Sequence, residues 1–292
     1  MGKILTANRL QPTATNMEIR FESSRKEVSQ MNTDTLRENF LIENIFESGK
    51  INWVYSHYDR VMIGGAIPVS TPLVLETFDS LKANYFLERR EIGIINIGGD
   101  GKVNADGEEI AISKLGCIYV GKGTQKVIFT SNDAENPAAF YLLSSPAHQT
   151  YPTRLFTKED ATPVTIGSME TSNHRTIYKY IHLDGIQSCQ LVMGLTVLKT
   201  GSVWNTMPSH VHDRRMEAYC YFDVPQNQRV LHLMGEPSET RHLWIADRQA
   251  IISPPWSIHS GCGTSNYSFI WGMAGENKDY TDMDAVAIGD LR

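Results

Sequence analysis

The sequence predicts an all-β protein made of two sandwiches or barrels. Short apolar or alternating runs recur from Ile51 onward with Gly- and Asp-rich punctuation between them, and a second stretch of the same character occupies about residues 175–273. A chain of 292 residues is long enough for two ordinary domains, each burying its own core. Strands and turns at this spacing are those of a sandwich or barrel rather than of alternating strand and helix.

Residues 1 to about 35 are polar and lack a strong period, with Arg25, Lys26 and Glu27 inside a Ser-rich stretch, which predicts an arm that orders only by docking. Thr35-Leu-Arg-Glu-Asn-Phe-Leu-Ile-Glu-Asn-Ile-Phe46 places apolar residues at helical spacing and predicts a short helix. Strands are expected at Trp53-Val-Tyr, Val61-Met-Ile, Tyr85-Phe-Leu, Ile92-Gly-Ile-Ile-Asn-Ile97, Cys117-Ile-Tyr-Val120 and Lys126-Val-Ile-Phe129, with Gly98-Gly-Asp-Gly101 and Asp106-Gly107 as hairpin turns. Glu88-Arg89-Arg90 before Gly93-Ile-Ile-Asn echoes Asp213-Arg214-Arg215 before Ala218-Tyr-Cys-Tyr, and Gly116-Cys-Ile-Tyr-Val-Gly echoes Gln249-Ala-Ile-Ile-Ser-Pro. The echoes point to duplication. The expected organisation is an arm over 1–35, a first barrel over 36–160 and a second over 161–292.

A formal charge of −6, with 41% hydrophobic and 21% charged residues, describes a soluble globular protein without the basic surface that nucleic acid or an anionic membrane requires. No apolar run reaches the length of a membrane span and the N-terminus lacks a secretory core, so the expected location is the cytoplasm. Cys117, Cys189, Cys220 and Cys262 are scattered without a CxxC and read as reduced, mostly packed thiols.

The most informative pattern is His210-Val211-His212, then Glu217, then His259. On a strand, side chains two apart share a face, so both imidazoles of the pair point one way. A turn through Asp213-Arg214-Arg215 returns Glu217 to that side, and the Pro254-Pro255 break places His259 at the start of the following strand, facing inward. Three imidazoles and one carboxylate suit a single divalent Zn, Fe, Mn, Ni or Co ion, and the lack of cysteine argues against a purely structural zinc. In the echo register these positions fall on Tyr85, Leu87, Ile92 and Lys126, so the first barrel is expected to lack a metal.

The order HxH, Glu, distant His resembles the two motifs of the cupin superfamily, although Val224 stands where a glycine is usual and Pro254-Pro-Trp-Ser-Ile-His259 departs from Pro-x-Gly-x-x-His. A closer resemblance runs through Tyr85-Phe-Leu-Glu-Arg-Arg-Glu91, Ile95-Asn-Ile-Gly-Gly99, Tyr119-Val-Gly-Lys-Gly123, Trp204-Asn-Thr-Met-Pro208, Glu239-Thr-Arg-His242, Trp256-Ser-Ile-His-Ser-Gly261 and Phe269-Ile-Trp-Gly-Met273. Over about residues 36–292 the chain is similar to the 5-keto-4-deoxyuronate isomerase family. That resemblance implies a bicupin of two double-sheet jelly-roll barrels with a few short helices and one Zn2+ per subunit on His210, His212, Glu217 and His259. It also implies a homohexamer and a ketol-isomerase acting on a sugar acid released from pectin or related polyuronides.

Such a reaction moves hydrogen between adjacent carbons and needs negative charge on oxygen stabilised, which a divalent cation does as a Lewis acid. Glu239, His242, Tyr219, Tyr221 and Lys179 are candidate proton shuttles, with Glu239 placed first; the competing reading is a solvated Glu beside Arg241. Arg175 or Arg241 is expected to hold the substrate carboxylate, and Trp204, Met207, Trp256 and Trp271 to wall the pocket or fill the core. Two other functions fit the same ligands: an Fe(II) dioxygenase and a non-enzymatic uronate-binding protein.

Overall fold

The computed structural model describes residues 17–292, so the first sixteen residues of the expected arm lie outside it. The all-β expectation holds. A seven-stranded sheet runs in the order Met17–Arg20, Ile51–Ser56, Met62–Ala66, Phe140–Pro146, Arg90–Asn96, Cys117–Val120, Arg154–Phe156. Facing it is a four-stranded sheet of Leu73–Val74, Val127–Ser131, Gly101–Ala105 and Glu108–Ile112. The pattern repeats with Val164–Ile166, Arg175–Ile181, Val192–Leu198, Ser268–Gly275, Arg215–Phe222, Gln249–Ser253 and Leu41–Ile42, faced by Trp204–Asn205, Ser260–Gly263, Val230–Glu236 and Glu239–Ile245. Among the described residues no helix is long and apolar enough to cross a membrane.

The second seven-stranded sheet is completed by a strand from ahead of the first barrel. Leu41–Ile42 pairs with Ile251 and Ala250, so these two residues of the expected 36–160 unit lie in the large sheet of the second barrel. The same segment explains why the helix expected to reach Phe46 is Thr33–Phe40. Asn32 caps it by accepting from the Thr35 N–H, Leu36 and Phe40 bury its apolar side, and Leu41 is already extended as it enters the sheet. Of the arm, Met17–Arg20 adds a parallel strand beside Ile51–Ser56, and a short helix at Arg25–Val28 starts from a Ser24/Glu27 capping box. The strand expected at Tyr85-Phe-Leu is instead a turn of 3₁₀ helix over Phe86–Glu88, closed by the Glu88 carboxylate, which accepts from the Asn84 N–H at 2.5 Å.

The large sheets of the two barrels pack face to face, and alternation on each central strand sorts its residues. On Arg90–Asn96, Ile92 and Ile94 join Trp53, Phe86, Phe129 and Phe140 in the first barrel, while Ile95 joins the core shared with the second. Gly93 and Gly272 permit the close approach: a Cβ on Gly93 would stand 2.9 Å from Ile181 and collide with Met193, and one on Gly272 would collide with Leu143. Glu91, fully buried on this face, accepts from Tyr119 Oη at 2.7 Å, Ser145 Oγ at 3.2 Å and the backbone N–H groups of Cys189, Gln190 and Leu191 at 2.6, 2.7 and 2.9 Å. With its lone pairs occupied, a carboxylate is tolerated there and pins the 189–191 segment to the first barrel.

Candidate metal centre

His210, His212, Glu217 and His259 converge inside the second barrel, with one ligand atom from each lying within 4.8 Å of all the others. Glu217 sits on the inner face of Arg215–Phe222, opposite Ser253 and Met273. His210 lies on a two-residue strand paired with Asp284–Ala285, and His212 just beyond it donates its backbone N–H to Pro255 O at 2.9 Å. His259 precedes Ser260–Gly263, as the Pro-Pro break suggested. His259 Nε2 is 2.9 Å from His210 Nε2 and 2.9 Å from Glu217 Oε2, and His212 Nε2 is 3.2 Å from that same oxygen. Ligand atoms about 2.0–2.2 Å from one ion stand roughly 3–3.5 Å apart, so the cage has the spacing a tetrahedral or open-sided metal site needs. Among the described residues it is the one group of this kind.

The surroundings prepare these groups for a cation. His259 Nδ1 lies 3.2 Å from Ser257 O, and donating there leaves the Nε2 lone pair facing the cage. His212 Nδ1 lies 3.5 Å from Asp282 Oδ1, which is itself 2.8 Å from Nη2 of the fully buried Arg215. Both contacts have ion-pair distances without the alignment of hydrogen bonds. Burial, reinforced by His259, pushes His210 down to about 3, which keeps its imidazole neutral. For Glu217 burial acts upward, but His259 and His212 outweigh it and hold the carboxyl well below its usual range. Neutral imidazoles and an ionised carboxylate are the protonation states a divalent metal binds.

A cavity of about 360 Å³ opens over the cage, lined by Arg175, Lys179, Thr206, Tyr219, Trp271 and Tyr280 among others. Arg175 Nη1 is anchored on Asn173 O at 2.8 Å, and Lys179 Nζ stands 4.7 Å over the Tyr280 ring. Tyr219 Oη is 3.0 Å from Thr206 Oγ1; burial and then the Glu217 charge raise this phenol well above its ordinary range, so it is a donor and not a base at neutral pH.

Of the expected site residues, Arg175, Lys179 and Tyr219 share this cavity with His210, His212 and Glu217, and Trp271 is on its wall. The others lie elsewhere. Glu239, Arg241 and His242 belong to Glu239–Ile245, the outer edge of the small sheet; Glu239 and His242 are exposed, and Arg241 donates to Glu239 Oε1 at 2.9 Å and to Ser29 O at 2.5 Å. Arg241 therefore ties down the N-terminal segment, and Glu239 is the solvated partner of that arginine. Trp204 pairs with Cys262 at the far edge of the same sheet. Met207 is outside the lining although Thr206 and Pro208 are in it. Trp256 faces Arg25, 6.0 Å away. Tyr221 is buried below the cavity, with its hydroxyl 2.8 Å from His232 Nδ1.

Sequence reasoning missed Thr206, Arg215, His232, Tyr280 and Asp282. His232 is two residues from Val230 and Met234, which are both core, so strand parity predicts that it faces inward. Asp282 and Tyr280 lie in a polar segment after the last long strand with no motif to single them out.

Comparison with known proteins agrees with this geometry. Residues 40–288 match the KduI/IolB family. The chain is 56% identical over 279 residues to the 4-deoxy-L-threo-5-hexosulose-uronate ketol-isomerase of Formosa agariphila, covering 96% of this chain and 100% of that one. It is 55% identical over 276 residues to the protein of the same name from Halalkalibacterium halodurans, covering 94% and 100%. Among solved structures, an IolB-like protein from Salmonella typhimurium LT2 superposes with a TM-score of 0.71 at 15% identity, over 85% of this chain and 97% of that one. An oxalate decarboxylase from Lactobacillus farciminis does so at 0.58 and 10% identity, over 89% and 91%. These two likenesses concern the two-barrel fold.

Proposed function

The chain belongs to the KduI/IolB family, and from that premise we propose that it is a ketol-isomerase, converting 4-deoxy-L-threo-5-hexosulose uronate (5-dehydro-4-deoxy-D-glucuronate) to 3-deoxy-D-glycero-2,5-hexodiulosonate. The observation that carries the reading is the convergence of His210, His212, Glu217 and His259 beneath a cavity that also presents Arg175 and Lys179. In this reading the four cage residues hold one Zn2+, which supplies Lewis-acid stabilisation of negative charge on the sugar oxygens.

The chain's own side chains do the rest. Arg175, fixed on Asn173 O, binds the uronate carboxylate through its free guanidinium edge. Lys179, acting as the free amine, takes the proton from the carbon beside the carbonyl and returns it to the former carbonyl carbon through a cis-enediol, while the neutral Tyr219 phenol donates a proton to the old carbonyl oxygen and recovers one from the neighbouring hydroxyl as the new carbonyl forms. Trp271 and Phe269 keep bulk water from the reacting end. A homohexameric, cytoplasmic enzyme of polyuronide breakdown completes the proposal and rests on the family resemblance.

The test is elemental analysis of purified protein together with an assay on the unsaturated uronate released by a polyuronide lyase. Zinc at one per chain, isomer formed without oxygen uptake, and solvent deuterium in the product are expected. Oxygen consumption with bound iron would point instead to a dioxygenase. Tight binding without turnover would leave a uronate-binding protein, and product free of solvent deuterium would remove Lys179 as proton carrier in favour of a hydride shift.

A further inference from the structure

The two barrels carry a buried arginine at the same place. Arg215 and Arg90 each begin the fifth strand of their seven-stranded sheet, Arg215 opposite Gly275 and Arg90 opposite Pro146, two residues before Glu217 and Ile92 respectively. In the second barrel the charge is met by Asp282 at 2.8 Å. In the first, Arg90 is 6% exposed and binds neutral oxygens: Nε donates to Ser144 Oγ at 3.0 Å and Nη2 to Ser144 O and Arg60 O, both at 2.8 Å. Nη1 makes no hydrogen bond among the described residues, and no described carboxylate pairs with Arg90. Neighbouring Glu91 is saturated by the five donors described above.

This arginine opens on a cavity of about 320 Å³ at the mouth of the first barrel, where Arg60 and Arg89 join it with Ser80, Tyr55 and Phe86, and where no acidic residue lines the wall. Arg89 Nη2 is spent on Leu81 O and Lys82 O at 2.8 and 2.6 Å, which holds the loop that forms one side. Burial brings Arg90 down to about 10; Tyr55, whose ring lies 6.0 Å from the guanidinium, and Glu91 act against the fall, and the Arg60 charge adds to it. A buried charge without a partner is costly, and like charges around it raise the cost.

We propose that the mouth of the first barrel is a binding site for a small oxyanion, a sugar-acid carboxylate or a phosphate, held by Arg90 with Arg60 and Arg89. A planar guanidinium with a free edge matches either anion in two-pronged fashion, and Tyr55 and Phe86 offer an apolar wall to the remainder of the molecule. The size is at the lower end of small-molecule sites, which run from roughly 300 Å³ upward.

The test is calorimetric titration of the metal-loaded protein at low ionic strength with inorganic phosphate and, separately, with D-glucarate, a sugar diacid that has no carbonyl to isomerise. Saturable binding of either probe at one per chain is expected, weakened about tenfold or more by Arg90→Met and unaffected by His210→Ala. Should Arg90→Met fail to fold, the rim variants Arg60→Met and Arg89→Met carry the same expectation. Phosphate binding alone assigns a phosphate ligand, and glucarate alone a carboxylate. Absence of saturable binding by both probes overturns the proposal, as does binding that survives the arginine variants or disappears with His210→Ala.

Discussion

Replacing Asp282 by Asn separates two jobs that one carboxylate performs. Its Oδ1 is 2.8 Å from Arg215 Nη2, and Arg215 is wholly buried, so neutralising Asp282 strands a guanidinium charge. Removing one member of a buried pair costs about 3–5 kcal/mol. The lower end applies, because the Asp282 side chain is 12% exposed and Arg215 Nη1 keeps its bond to Asn277 O at 3.0 Å. The same oxygen is 3.5 Å from His212 Nδ1, where a carboxylate orients the ring and raises its basicity. Losing such support weakens metal binding about 10–100-fold, and at this long distance about tenfold is expected. Urea denaturation of chelator-treated protein reads the first effect, and competition with a chromophoric zinc chelator reads the second. The double variant Arg215→Met/Asp282→Leu removes both charges and should recover most of the stability while leaving metal affinity reduced. A stability loss below about 0.5 kcal/mol for Asp282→Asn would refute the stranded-charge argument. An unchanged metal affinity would remove Asp282 from the support of His212.

Other consequences are as direct. His210→Ala and His259→Ala should each lose metal and turnover while keeping a folded barrel, and stoichiometric metal in both would exclude this ligand set. Glu239→Gln should leave the maximal rate unchanged, since this carboxylate is solvated beside Arg241; a fall of tenfold or more would return it to the mechanism. In the metal-free protein, burial holds His232 and His210 down to about 3. Below pH of about 6.5 the unfolded chain takes up protons that the folded one refuses, so stability present above that pH falls on acidification toward 3 by about 1.4 kcal/mol per unit for each histidine. Urea midpoints measured from pH 7 to 4.5 should therefore decline, and less steeply in His232→Gln; an equal slope would show that His232 does not contribute. Gly93→Ala should cost about 1–3 kcal/mol, because its methyl group meets Met193 and Ile181 across the barrel interface, and a neutral result would mean that the interface gives way freely.

The cage was legible because metal ligation restricts residue type and strand geometry restricts parity: His210, His212 and Glu217 lie within eight positions, and the Pro254-Pro255 break marks where His259 begins. The echo about the central strands was also readable, since Ile92 and Glu217 occupy the same place in their sheets. Illegible features depended on contacts between distant segments. Glu239-Thr-Arg-His242 is a polar cluster close in sequence to the cage strands, yet a strand's position in its sheet decides whether its residues reach the cavity, and this one is at the edge. Arg241 meets Ser29 from the N-terminal segment, which no local pattern foretells. Asp282 matters only because the tail after Gly275 folds back so that Asp284–Ala285 pairs beside His210. The helical period of 35–46 failed at Leu41, where pairing with Ile251 outweighed local propensity.

Leu41–Ile42 gives the order of synthesis a role in maturation. The piece that finishes the metal-bearing half leaves the ribosome early, and its mate at Ala250–Ile251 follows some two hundred residues later. Until then the cage cannot assemble on a completed sheet, and a recombinant fragment beginning at residue 161 would present the Gln249–Ser253 edge bare, open to pairing with a stranger. The strand that carries Glu217 thus belongs to a sheet finished only when both ends of the chain are present, so the second barrel is not a self-contained segment of the sequence.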